Sequence, residues 1–176
     1  MDADQAVASP TVRLLVVVAQ AARGEELRRR LLSVSRGRRL ELCLLAPAFA
    51  ASGLEYVASD VDRGIRRALD RLDRSLAEMS CKQVVAARGE VGEADPMLAI
   101  DSALVTFAAD EIVLVPSPER DQWAEKELFE RVCERFGLPV WEIELNEDES
   151  GTHAVQVAHF PLAGDLAAVE VGARLI

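Results

Sequence analysis

Hydrophobic and polar positions alternate along this chain in blocks that read as strand, helix, strand, helix. Residues 14–18, Leu-Leu-Val-Val-Val, form a short continuous apolar run rich in branched side chains. A strand covered on both faces reads this way. Residues 24–35 follow with Leu27, Leu31 and Val34 at helical spacing. Residues 40–45, ending at Pro47, give a second strand. A long helix is predicted from about Asp60 to near Ser80, with Val61, Ile65, Ala68, Leu69, Leu72, Leu76 and Met79 as its apolar stripe and Arg63, Arg66, Arg67, Asp70, Arg71, Asp73 and Arg74 toward solvent.

Residues 83–87 make a weaker third strand, followed by a loop with Gly89 and Gly92. Asp95-Pro96 opens the next helix, an acidic cap before a proline whose missing N–H is not needed in the first turn. Its stripe is Ile100, Ala103, Leu104 and Phe107. Residues 111–115 are the fourth strand, stopped by Pro116 and Pro118. Residues 123–136 form a helix capped by Gly137, and residues 139–143 are the fifth strand. Crossovers of this length cannot be hairpins, so the strands run parallel with helices on both faces. Right-handed crossovers make this an α/β, three-layer, doubly wound domain.

The chain divides into a flexible N-terminus, residues 1–10, an α/β domain, residues 11–145, and an acidic linker with a C-terminal β-hairpin extension, residues 146–176. The hairpin is read from the alternation of Val155, Val157 and His159, and of Val169, Val171 and Ala173, about a turn near Pro161.

Composition narrows the partners. With 20 basic and 30 acidic side chains the formal charge is −10, which opposes nucleic acid and anionic lipid. The basic cluster Arg23, Arg28, Arg29, Arg30, Arg36, Arg38 and Arg39 reads as a solvated face. Cys43, Cys81 and Cys133 have neither disulfide nor metal-ligand spacing, and His153 and His159 bring no ligand set with them. No apolar run approaches the roughly 20 residues of a membrane helix, and the first residues carry no signal core. A soluble cytoplasmic protein is expected.

An open parallel sheet takes ligands beyond the carboxyl ends of its strands. That rim is supplied by residues 19–21, 46–54, 89–94 and 116–122. Neither GxGxxG nor GxxxxGK[ST] occurs, which argues against a hydride-transferring dinucleotide enzyme and a phosphate-loop hydrolase. Ser59, Ser102 and Ser117 lack a GxSxG elbow, and the cluster of Glu90, Glu93 and Asp95 is explained by a solvated loop and a helix cap. No catalytic residue is assigned.

Three segments in order resemble the universal stress protein family: Gly92-Glu93-Ala94-Asp95-Pro96-Met97-Leu98-Ala99-Ile100, Ala108-Ala109-Asp110-Glu111-Ile112-Val113-Leu114-Val115, and Gly137-Leu138-Pro139-Val140. The resemblance spans about residues 12–145. It implies a five-stranded sheet in the order 3-2-1-4-5 and a homodimer through the last strand, here around Val140, Trp141 and Ile143. One branch of that family binds ATP with an aspartate ending the first strand and a Gly-x2-Gly-x9-Gly-Ser/Thr loop after the fourth. This chain has Ala19 at the first place, and Ser117-Pro118-Glu119-Arg120-Asp121-Gln122-Trp123 at the second, without a glycine. Side chains and acids there oppose close approach of phosphate. Ala19, Gln20, Gly92 and Ser117 are the rim positions that would meet a bound nucleotide. The expected function is a non-catalytic stress-response or regulatory protein without the usual ATP, with a protein partner or a second copy; the alternative is a divergent adenine-nucleotide-binding protein or weak ATPase.

Overall fold

A computed structural model describes residues 10–19, 24–49, 59–116, 125–143 and 145. The expected hairpin and linker, Gln20 and Ser117 lie outside these residues. The elements are β1 (Thr11–Val18), α1 (Gly24–Ser35), β2 (Arg39–Pro47), α2 (Ser59–Leu76), β3 (Val84–Gly92), α3 (Pro96–Thr106), β4 (Glu111–Val115), α4 (Glu125–Phe136) and β5 (Val140–Glu142). All five strands are parallel and lie in the order β3-β2-β1-β4-β5.

The period of two along each strand sends alternate side chains into separate cores. Val12, Leu14, Val16 and Val18 of β1, with Leu40, Leu42 and Leu44 of β2, meet Leu27 and Leu31 of α1 and Ala68 and Leu72 of α2. Leu15 and Val17, with Cys43 and Leu45, meet Ile100 and Ala103 of α3 and Leu128 and Val132 of α4. The strands of the middle are thus apolar on both faces, which is why they read as unbroken runs.

Three expectations are corrected. β3 runs through Gly89 to Gly92, so those glycines are strand residues and not a loop. Ile65 and Leu69 of α2 are 38% and 46% exposed, because the helix beds down on Gly64, Ala68, Leu72 and Ser75 instead; it ends at Leu76, and Met79 is buried just beyond it. Arg71 is half-buried: it donates to the Pro47 carbonyl and stacks over Phe49 at 5.5 Å. Elsewhere the local signals hold. The Asp95 carboxylate accepts from Met97 N at 2.8 Å and caps α3, and Gly137 follows α4 with φ +60°.

Candidate functional site

The crevice of a doubly wound sheet lies at the carboxyl ends of β1 and β4, where the strand order reverses. Ala19 sits there, 9% exposed, and its N–H donates to the Val115 carbonyl at 3.0 Å. With a methyl side chain and its amide already bonded, this position offers a ligand neither a polar side chain nor a free N–H.

Gly92 ends β3 on the same rim. A Cβ on Gly92 would stand 2.6 Å from the Ala99 Cβ and 2.9 Å from Leu45 Cδ1. Contacts that short have no counterpart between real side chains, so the glycine is required by the first turn of α3 packing onto the sheet. The Gly92 carbonyl accepts from Ala48 N at 3.1 Å, tying the exits of β2 and β3 together. The side of Gly92 on which a Cβ would stand is thus filled by α3 and β2. The amino end of α1, another common seat for phosphate, is also closed in: a Cβ on Gly24 would collide with the Ala77 carbonyl oxygen just beyond α2.

The acidic residues read together in the sequence separate in the fold. Glu90 lies within β3 and accepts from the Cys43 thiol at 3.6 Å, Glu93 accepts from the Ser102 hydroxyl at 2.8 Å, and Asp95 caps α3. Ser102 has a carboxylate and no imidazole beside it among the described residues. Burial pushes the Cys43 thiol up, and pushes that of Cys133 up to about 11, so neither stands ready as a thiolate. No group of three or more His, Cys, Asp or Glu side chains is gathered for a metal ion among the described residues. No described helix is long and apolar enough to cross a membrane.

Sequence reasoning missed the polar density at the opposite, amino ends of the strands. On the α1 face, buried Glu111 accepts from Trp141 Nε1 at 2.6 Å and pairs with Arg38 at 2.7 Å, while Arg36 lies over the Trp141 ring at 5.7 Å. Trp141 itself is 5% exposed, and Val140 and Ile143 are fully buried, so the three residues expected at a dimer interface point into their own domain. On the α3 face, Asp110 accepts from Arg13 N at 2.8 Å and pairs with its guanidinium at 3.0 Å. The hydrogen bonds from Arg13 hold the Asp110 carboxyl below the usual range. A concavity of about 380 Å³ opens beside that pair, with Glu41, Arg88, Thr106 and Phe107 in its wall. Arg88 donates to Thr106 Oγ1 at 3.3 Å and stacks over Phe107 at 5.2 Å. A carboxylate heading a buried strand, as Glu111 does, was the available signal.

The all-parallel sheet in the order β3-β2-β1-β4-β5, with helices packed on both faces, defines a protein of the doubly wound α/β class. Within that class the chain is similar to the crystal structure of a protein from the universal stress protein family from Burkholderia pseudomallei. That likeness has TM-score 0.50 at 19% identity and covers 75% of this chain and 95% of the other. It establishes a shared fold. No family model and no curated protein matches the chain.

Proposed function

We propose that this chain is a non-catalytic stress-response or regulatory protein of universal stress protein type, acting through its surface and not holding ATP in the manner of the family's nucleotide-binding branch. One observation carries the reading: Gly92, the rim glycine that matches the family's pattern, has its open side filled by Ala99 and Leu45. A glycine kept for helix packing explains why the first resembling segment survives while the glycines that would follow the fourth strand do not. The residues that stand there in sequence, Ser117 to Trp123, include Pro118, Glu119 and Asp121, which oppose a triphosphate by shape and by charge.

Self-association belongs to the same reading. Pairing through the last strand would have to use contacts other than the side chains of Val140, Trp141 and Ile143, since these are turned inward. The test of the ligand claim is calorimetric titration of the purified chain with magnesium ATP, preceded by mass spectrometry of whatever copurifies. No saturable heat and no nucleotide are expected. Saturation at micromolar ATP would favour the divergent nucleotide-binding alternative.

A further inference from the structure

β3 is an edge strand nine residues long that pairs with β2 alone among the described residues. Edges of that length are normally shortened, covered or heavily charged, because their outward N–H and C=O groups recruit another strand. Here Val85 to Gly89 are all exposed, Val85 at 49%. Above the strand, Leu72 and Leu76 of α2 pack on Gly89. Ile65 and Leu69 continue the same helical stripe, yet they are exposed. A partly exposed apolar flank, Ile65 and Leu69, therefore runs beside a strand edge that no other described strand pairs.

We propose that this edge docks a second copy of the same chain, β3 against β3 in antiparallel sense, about a two-fold axis through Gly89. The strand's own pattern selects the register. The pairing with β2 is irregular between Leu40 and Glu41, opposite Val85, and is regular from Ala86 to Gly92, a segment centred on Gly89. A two-fold axis normal to the sheet sets residues of like face opposite one another, so only a residue can lie on the axis. Centring on Arg88 opposes two arginines, and centring on Glu90 opposes two glutamates. Centring on Gly89 sets Arg88 of each copy against Glu90 of the other, twice, with Ala87 against Val91 on the other face. The edge is also electrically balanced in a chain of net charge −10, since Val84–Gly92 holds one arginine and one glutamate. Self-repulsion is weakest at such a place.

The helices fit the same geometry. α2 covers both β2 and β3, so the two copies of α2 would lie about two strand spacings apart, ~9.6 Å. Helices pack at about that distance. Leu69 of each copy would then close over the junction, beside the Leu72 and Leu76 that already cover Gly89.

Sedimentation velocity of the full chain at micromolar concentrations reads the proposal. A concentration-dependent dimer is expected. Arg88→Glu alone, or Glu90→Arg alone, places like charges opposite each other and is expected to raise the dissociation constant about tenfold or more. The double variant Arg88→Glu/Glu90→Arg restores opposite pairs and should recover the dimer. If circular dichroism shows that a charge variant does not fold, Leu69→Lys, at an exposed position, gives the same reading by dissociating the dimer. A monomer at every concentration, or a dimer indifferent to all four variants, would overturn the proposal.

Discussion

The two ends of this sheet are built from different materials. At the carboxyl ends, where the fold ordinarily receives ligands, Ala19 and Gly92 are closed in by main-chain hydrogen bonds and by α3, and the charged side chains described there are few: Arg71 donates to the Pro47 carbonyl and Glu93 accepts from the Ser102 hydroxyl. At the amino ends stand the ion pairs Arg38–Glu111 and Arg13–Asp110 and the arginine stacks over Trp141 and Phe107. Charge in an α/β protein is usually taken as a pointer to function. Here it holds strands in place: Glu111 joins β4 to the turn before β2 and to β5, and Asp110 joins the entry of β4 to β1. Chemistry must therefore be sought by position in the fold before density of polar groups.

The contrast can be broken first at Trp141. Trp141→Ala removes a 5%-exposed indole and its hydrogen bond and should cost about 3–5 kcal/mol in denaturant unfolding. Glu111→Ala leaves the indole N–H and Arg38 without their shared acceptor, and about 2–3 kcal/mol is expected from the same measurement. A negligible loss in either variant would show that the amino-end network is not structural. Gly92→Ala sets a Cβ 2.6 Å from that of Ala99, so α3 must move off the sheet by most of an ångström, and a cost of about 1–3 kcal/mol is expected. The smallest effect belongs to Asp110→Asn, because the Arg13–Asp110 pair is about two-fifths exposed. Its sign follows from the depressed carboxyl of Asp110. The charged form is favoured by folding, so the contribution is complete above the ordinary carboxyl value of about 4 and disappears as pH falls through the lower folded value. Wild type and Asp110→Asn should thus differ at neutral pH and converge in acid. Equal stability at neutral pH would remove the pair from the account.

The middle of the sheet was legible because burial on both faces leaves no polar position to interrupt the pattern, as in residues 14–18 and 111–115. The start of α3 was legible because Asp95-Pro96 encodes a cap locally. β3 was read short: Arg88, Gly89, Glu90 and Gly92 weaken any local strand signal, and pairing with β2 overrides it. Only the fold shows that Gly89 lies beneath Leu76 and Gly92 beneath Ala99. Ile65 and Leu69 matched a helical stripe, but periodicity states that a face is apolar without stating what covers it. Of the rim positions named from sequence, Ala19 and Gly92 fall on the carboxyl rim as expected, and both are occupied by packing and main-chain bonds; Gln20 and Ser117 lie outside the described residues.

The most direct measurement compares the denaturation midpoints of wild type and Gly92→Ala, each with and without millimolar magnesium ATP. The account expects the variant to be less stable by the overpacking cost and ATP to move neither midpoint. A wild-type midpoint raised by ATP, with that rise lost in Gly92→Ala, would contradict it, because the glycine would then be serving phosphate instead of helix packing.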